Sequence, residues 1–422
     1  MAQQVQPYAA TLQWGRILLR MADYKPDSEL QLYGPIGLAL RFIFPLELGF
    51  IVRPQCRLVP AAHPAAKHHY RIDSHGIRVR PSNTSMGEPD FEVVMLSRDH
   101  SILLPVLVCD AKVNRHKSET RKREDVAQVW SYMGRLYPLA GSKYGSEIDI
   151  NRQRGGTEPI WGFLLRGDEG ELWRIDQKDV KYTGKLSDPT QPLYQKLWEI
   201  RENWRAKTKD WRIVPNPLPA LQTPEWFDMF VAALQTDEAS SENSFYGAAY
   251  EIMCREWPLE ENYVVKPQGP LRISASEHIP DTHKRTSSYG NVVILGGVPL
   301  FRVDFLVVRF EDWKPEDLPQ DRILFAVEMK KYVENPVTSF QIDLRVQIGL
   351  VCDYIKTSIG YEVPGIATIG LNAWLATWEL AANGQSKEFT IPEFEDATAY
   401  NLGGEELWNR VREVIRVNNN VQ

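Results

Sequence analysis

The chain has 422 residues, with 49 lysines and arginines against 55 aspartates and glutamates, and therefore a net charge of −6. This acidic balance argues against a protein that coats nucleic acid non-specifically, because such proteins carry a basic surplus that displaces counterions. No apolar run of about 18 residues could span a bilayer, and residues 1–14 lack the pattern of a secretory signal. We therefore expect an intracellular protein of the nucleus or cytoplasm with no membrane partner.

The predicted elements are those of an α/β protein. In the first half, a capping box from Ser28 to Gln31 predicts a helix that ends before Pro45. It is followed by predicted strands at residues 49–54, 91–96 and 105–109, a helix at 124–136, and strands at 160–165 and 171–175. In the second half we predict a helix at 241–257, strands at 263–267, 305–308 and 323–327, and a helix at 339–355. The predicted order is α-β-β-β-α-β-β in each half, with a mixed central sheet flanked by helices.

This order recurs because the sequence contains a long internal repeat. Residues 28–55 match residues 241–268 without a gap, at a constant offset of 213. The identical pairs are Ser28/Ser241, Glu29/Glu242, Tyr33/Tyr246, Gly34/Gly247, Pro45/Pro258, Leu46/Leu259, Glu47/Glu260, Val52/Val265, Pro54/Pro267 and Gln55/Gln268. A repeat of this length predicts a duplicated domain, not a short-period solenoid. With the proline-rich residues 214–219 as a linker, we expect one domain over residues 1–212 and a second over 213–422.

Matches continue downstream of the repeat with small changes of offset. Asp90 matches Asp304 at an offset of 214, and Lys112 matches Lys330 at 218. Weaker matches at an offset of 205 pair Pro159 with Pro364 and Trp173 with Trp378. A drifting offset indicates loop insertions between equivalent elements.

Each half carries two acidic residues and a lysine at matched positions. They are Asp90, Asp110 and Lys112 in the first half and Asp304, Glu328 and Lys330 in the second. A hairpin would bring Asp90 and Asp110 to one end of the sheet, and the two-residue period of a strand points Asp110 and Lys112 to the same face. Two carboxylates suit a hard cation such as Mg²⁺, which draws charge from a phosphoryl group, and an ammonium group stabilises the charge that develops there.

The first of these sets resembles a known family. Pro89-Asp90 followed by Asp110-Ala111-Lys112 is similar to the PD-(D/E)XK nuclease superfamily, which has the restriction-endonuclease-like fold. The next predicted helix contains Gln128 and, four residues later, Tyr132, which resembles the QxxxY motif of RecB-like members. In that group the glutamine lies near the active site.

The second half resembles the same family with two departures. Asp304, Glu328-Met329-Lys330 and Gln347 match the pattern. Val303 replaces the proline, and Val351 stands where the tyrosine would be. Members of the family often take a further glutamate from the first helix, for which Glu29 and Glu242 are the matched candidates, while Glu47 and Glu260 follow the proline that ends the helix.

The resemblance implies two tandem restriction-endonuclease-like domains that hydrolyse the phosphodiester bonds of nucleic acid, DNA in preference to RNA. The cofactor would be Mg²⁺ or Mn²⁺, held by Asp90 and Asp110 in one half and by Asp304 and Glu328 in the other. The remaining catalytic residues would be Lys112, Gln128, Lys330, Gln347, Glu29 and Glu242. The two domains would then act as an intramolecular pseudodimer, with one site for each strand of a duplex.

A basic segment follows the first lysine and has a much less basic counterpart in the second half. Its members are Arg115, Lys117, Arg121, Lys122 and Arg123. They are candidates for contact with nucleic acid phosphates, although charged runs also form ordinary solvated faces. A second interpretation of the whole chain is a catalytically inactive nuclease-like protein that binds nucleic acid or a protein partner.

Overall fold

A computed structural model describes residues 30–54, 71–72, 78–79, 89–96, 103–112, 119–136, 159–186, 188, 190–207, 242–261, 263–272, 300–309, 322–330, 338–380, 387–390 and 399–420. These residues form an α/β protein with two mixed sheets. They group into two compact units. One unit holds the described residues from 242 onward together with Tyr33–Leu38, and the other holds 30–32 and the described residues from 39 to 207. The predicted boundary between residues 212 and 213 lies outside the described residues.

The first half, residues 30–207, contains a mixed sheet flanked by helices. Its helices are α1 (Leu30–Ile43), α2 (Glu119–Leu136) and α3 (Pro192–Lys207). Its strands are β1 (Phe50–Pro54), β2 (Arg71–Ile72), β3 (Arg78–Val79), β4 (Phe91–Leu96), β5 (Leu103–Lys112), β6 (Trp161–Arg166), β7 (Glu169–Arg174) and β8 (Gln177–Lys185). The main sheet has the order β1-β4-β5-β6-β7-β8, and β2 pairs only with β3.

The second half, residues 242–420, repeats this plan. Its helices are α4 (Glu242–Glu256), α5 (Thr338–Ile359) and α6 (Glu405–Asn420). Its strands are β9 (Tyr263–Arg272), β10 (Leu300–Arg309), β11 (Arg322–Lys330), β12 (Gly365–Ile369), β13 (Asn372–Leu380), β14 (Lys387–Thr390) and β15 (Tyr400–Asn401). The sheet order is β9-β10-β11-β12-β13-β14, with β15 also paired to β13.

In both halves one parallel strand pair lies among antiparallel neighbours. Strands β5 and β6 are parallel, as are β11 and β12. Parallel strands need a crossover connection, and α2 and α5 lie in these two connections. The predicted helices and strands are therefore confirmed, and most strands extend beyond their predicted ends because hydrogen bonding continues past the apolar core of each run.

The strand registers correct one sequence match. Val108 pairs with Gly162 in the first half, and Ala326 pairs with Gly365 in the second. Since Val108 and Ala326 each lie two residues before the site acid, Gly162 and Gly365 are equivalent at an offset of 203. The predicted offset of 205 was therefore wrong by two residues. A shift of two keeps every strand side chain on the same face, so the hydrophobic pattern could not detect the error.

The helix before the first sheet is buried on all sides. Every residue from Leu32 to Leu40 is buried. A helix that is apolar all round is covered on every face, in contrast to an amphipathic surface helix. It ends before Pro45, as predicted, and Gly49 then adopts a left-handed conformation with φ 83° as the chain enters β1.

None of the described helices combines the length and the apolar character needed to cross a membrane.

Candidate active sites

The first-half site lies where β4 begins and β5 ends. Phe91 pairs with Cys109 across the two antiparallel strands, so the next position places Asp90 opposite Asp110. The charge of Asp90 contributes to raising the pKa of Asp110. Both residues are buried, with Asp90 7% exposed and Asp110 1% exposed. The predicted meeting of these two acids at one sheet end is therefore confirmed.

Two further contacts organise this acidic pair. The Asp90 Oδ2 atom accepts a hydrogen bond from the backbone N–H of Ala111 at 2.6 Å. The Lys112 Nζ atom lies 3.0 Å from Asp110 Oδ2. Because Ala111 separates Asp110 from Lys112, Asp90 is held against the same three-residue segment that supplies the second acid and the lysine.

Burial of like charges dominates the electrostatics of this site. Burial and then the neighbouring Asp90 charge raise the pKa of Asp110 to about 8, against the opposing effect of Lys112. Burial, together with the charges of Asp90 and Asp110, also raises the pKa of the Cys109 thiol well above its usual value. One lysine is thus insufficient to offset two buried carboxylates.

Helix α2 carries the two residues of the predicted QxxxY motif. Gln128 Nε2 donates a hydrogen bond to the hydroxyl of Tyr132. Burial and then the charge of Asp110 raise the pKa of Tyr132 to about 12. Tyr132 is buried in a cluster with Val108 and Val129, whereas Gln128 is exposed.

The second-half site repeats the central contact of the first. The Asp304 Oδ2 atom accepts a hydrogen bond from the backbone N–H of Met329 at 2.6 Å. Lys330 Nζ donates to Glu328 Oε1 at 3.1 Å, and the side chains of Lys330 and Glu328 are 7% and 9% exposed. Asp304 is only partly buried. Two acids and a lysine are therefore combined in each half.

A tyrosine of the preceding helix supplies a contact that the sequence analysis missed. The hydroxyl of Tyr246 in α4 donates a hydrogen bond to Asp304 Oδ1. Burial raises the pKa of Asp304, while Lys330, this phenol and the Met329 N–H oppose the rise. The identity of Tyr33 and Tyr246 in the repeat was a signal that could have identified this residue.

The helix of the second site differs from α2. Gln347 is partly buried, and its Oε1 atom is shielded from solvent and has no hydrogen-bond partner among the described residues. Val351, which occupies the place of Tyr132, is buried. The second half therefore lacks the glutamine–tyrosine hydrogen bond of the first.

Equivalent glycines allow the crossover helix to approach each site. A Cβ atom on Gly162 would lie 2.6 Å from Val129 Cγ1 and 2.7 Å from Met133 Sδ, both in α2. A Cβ atom on Gly365 would lie 2.6 Å from Ile348 Cγ1 in α5. Close approach of a helix to a strand requires a residue without a side chain at these points.

A second pair of glycines holds the strand that ends in the lysine. Gly167 and Gly370 have φ values of 63° and 61°, which favour glycine, and each follows the strand parallel to the site strand. The Gly167 N–H donates to the Lys112 carbonyl at 3.2 Å, and the Gly370 N–H donates to the Lys330 carbonyl at 2.8 Å. The turn at Arg166-Gly167-Asp168 therefore contacts the residue that ends the site strand.

The other predicted site residues are only partly described. Glu29, Arg115 and Lys117 lie outside the described residues, and Arg121 and Glu242 are described in backbone only. Glu242 begins α4, four residues before Tyr246. Lys122 forms an ion pair with Glu119 at 2.7 Å, and Arg123 is exposed.

The donor set of each half fits a hard divalent cation. Carboxylate oxygens are its preferred ligands, and a cation would offset the repulsion that raises the pKa of Asp110. Within the described part of the chain, no group of three or more His, Cys, Asp or Glu side chains is arranged to hold a metal. The candidate ligands are therefore one acid pair in each half.

Comparison of the chain with protein-family models, with curated proteins and with solved structures finds no match.

Proposed function

We propose that this protein is a metal-dependent nuclease of the PD-(D/E)XK type, with one site in each half. One observation carries the proposal. The first acid of each set accepts a hydrogen bond from the backbone N–H of the central residue of (D/E)-x-Lys. The pairs are Asp90 with Ala111 and Asp304 with Met329, at 2.6 Å in both halves. Two segments that differ in sequence between the halves thus converge on the same arrangement of acid, acid and lysine.

The side chains of each half have separable roles in this proposal. Asp90 with Asp110, and Asp304 with Glu328, would hold Mg²⁺ or Mn²⁺. Such a cation, when bound, withdraws charge from a phosphoryl group and lowers the pKa of bound water.

The lysine of each site supplies the positive charge. Lys112 lies beside Asp110, and Lys330 lies beside Glu328, so each ammonium is oriented by a carboxylate. From that position it would stabilise the negative charge that develops on the phosphoryl oxygens. In the first site, Gln128 is exposed on α2 and available to orient a substrate or a water.

The proposed substrate is nucleic acid, DNA in preference to RNA. The basic side chains after Lys112 would contact its phosphates, and Arg123 is exposed for this role. The two halves would serve as an intramolecular pseudodimer with one site for each strand of a duplex. If each site cuts one strand, loss of one site converts double-strand cleavage into nicking.

The test is cleavage of supercoiled plasmid, single-stranded DNA and RNA with Mg²⁺ or Mn²⁺. The proteins compared are the wild type, Lys112→Ala, Lys330→Ala and the double variant, with Lys185→Ala as the matched control because Lys185 is exposed on β8, away from the acid pair. We expect the wild type and the control to linearise plasmid, each single variant to nick it, and the double variant to be inactive. Equal inactivity of wild type and double variant on all substrates would reject the nuclease and favour the binding protein.

A further inference from the structure

Arg166 lies beside the first site without belonging to the acid–acid–lysine set. It ends β6 and pairs in register with Lys112 of the parallel strand β5. Its side chain is only 13% exposed. Like charges on neighbouring positions of adjacent strands repel each other, so a largely buried arginine at this place requires compensating partners.

The partners of Arg166 come from the sheet and from α2. Arg166 Nη1 donates a hydrogen bond to Glu171 Oε1 at 2.7 Å. Glu171 Oε2 also accepts a hydrogen bond from Lys181 Nζ at 2.8 Å. On the helix side, Arg166 Nη2 donates to Asp125 Oδ2 at 3.3 Å and to the Lys122 carbonyl at 3.2 Å. One guanidinium therefore connects the strand beside Lys112 to two positions of α2.

The part of α2 that Arg166 contacts lies next to Gln128 and Tyr132 in the helix. Gln128 lies three residues after Asp125, which is less than one helical turn, and its amide donates to Tyr132. Tyr132 in turn packs in one cluster with Leu164, which pairs with Asp110 across β5 and β6. A shift of α2 would therefore move these side chains relative to the carboxyl pair.

The second half provides an internal comparison. Ile369 pairs with Lys330 at the position equivalent to Arg166, and it is 2% exposed. An isoleucine donates no hydrogen bond, so α5 lacks a corresponding polar connection at this position. The same location in the fold is compatible with an apolar residue, and the arginine is a feature of the first half.

We propose that Arg166 is a positioning residue of the first site, which fixes α2, and with it Gln128 and Tyr132, relative to the acid pair and Lys112. The expected effect on catalysis rests on the proposed nuclease function. Arg166 acts through α2 and does not contact the substrate. Its planar fork reaches a carbonyl and two carboxylates at once, which the single ammonium of a lysine cannot reproduce.

The experiment compares Arg166→Met and Arg166→Lys in a Lys330→Ala background, so that only the first site contributes. Arg174→Met is the matched control, because Arg174 forms an ion pair with Asp176 in the same half, outside this network. In plasmid nicking with Mn²⁺, we expect Arg166→Met to lower kcat about 10- to 100-fold with KM within about threefold, since helix positioning affects the reacting geometry. Arg166→Lys should retain intermediate activity, and the control should match its parent.

Other kinetic outcomes would overturn the inference. A rise in KM at unchanged kcat would mean that Arg166 contacts the substrate directly. Unchanged kcat and KM in Arg166→Met would mean that the network has no role in positioning the site.

A second measurement separates failure of this inference from failure of the nuclease proposal. Hydrogen–deuterium exchange on the full-length chain compares peptides covering 119–136 and 192–207. We expect Arg166→Met to accelerate exchange in 119–136 only, and Arg174→Met to change neither. If the parent protein cuts no substrate, the nuclease proposal fails while this exchange result still decides whether Arg166 holds α2. Unchanged exchange in 119–136 would reject the inference.

Discussion

The carboxylate of Asp90 accepts the backbone N–H of Ala111 at 2.6 Å, which joins two strands at the point where both acids and the lysine meet. The bond serves two purposes. It satisfies a buried N–H group, and it orients the carboxylate that would hold the cation. The same bond between Asp304 and Met329 indicates that this is a property of the duplicated unit.

Substitution of Asp90 should separate these two purposes. Asp90→Asn and Asp90→Ala both remove the charge, but only the asparagine retains an oxygen that can accept the Ala111 N–H. In a Lys330→Ala background, we expect both variants to lose metal-dependent cleavage. We also expect Asp90→Ala to be less stable than Asp90→Asn by about 1–3 kcal/mol, the cost of leaving a buried donor unsatisfied. Urea unfolding in EDTA measures the difference. Equal stabilities would show that the bond contributes nothing to folding.

The raised pKa of Asp110 predicts a pH dependence of stability in the absence of metal. The folded protein holds this proton up to about pH 8, whereas the unfolded chain releases it near the ordinary value of 3.8. Between these values the folded state binds more protons, so the free energy of unfolding falls as pH rises, by at most about 1.4 kcal/mol per pH unit. We expect Asp110→Asn to remove this part of the slope in urea unfolding between pH 5 and pH 8. Identical slopes for the wild type and Asp110→Asn would contradict a raised pKa of Asp110 in the folded protein.

Addition of metal should restore the stability that the protein loses as pH rises. A cation that binds the folded protein stabilises it by mass action, by about 2.7 kcal/mol at a concentration 100 times its dissociation constant. We expect Mn²⁺ to raise the Tm of metal-free wild-type protein at pH 8, and to have little effect on a variant carrying both Asp110→Asn and Glu328→Gln.

The control for metal binding is Glu199→Gln, which alters an exposed carboxylate of α3 that pairs with Lys196. It should respond to Mn²⁺ as the wild type does. A double site variant that still gains the full increase in Tm would place the metal elsewhere in the chain.

The elements of the fold could be predicted from sequence because their signals are local. Apolar runs marked the strands, and Pro45 marked the end of α1. The site acids and lysines were found because the repeat supplied two independent copies of one pattern. The register between repeats beyond Lys112 and Lys330 could not be fixed, because a shift of two residues leaves strand periodicity unchanged.

The supporting contacts of the site could not be predicted because they join residues far apart in the chain. Arg166 meets Asp125 across 41 residues, and Tyr246 meets Asp304 across 58. In sequence, Arg166 is only the residue that follows the predicted strand at 160–165. Gly162 likewise carried no signal, because its role depends on how closely α2 packs against β6.

The close packing at Gly162 predicts a large effect from a single methyl group. Gly162→Ala would place a Cβ atom 2.6 Å from Val129 Cγ1, so the side chains of α2, the helix itself or the strand must shift. Overpacking of this kind costs about 1–3 kcal/mol. Because Gln128 lies on the displaced helix, we also expect first-site cleavage in a Lys330→Ala background to fall.

A matched control lies in the same helix. A Cβ atom on Gly134 of α2 would meet nothing within 4 Å, so Gly134→Ala should raise the free energy of unfolding by about 0.5–1 kcal/mol through helix propensity alone. Urea unfolding should therefore show a lower free energy of unfolding for Gly162→Ala and a higher one for Gly134→Ala than for the wild type. If Gly162→Ala proved as stable as the wild type, the packing of α2 on β6 would be looser than the structure describes, and the prediction would be wrong.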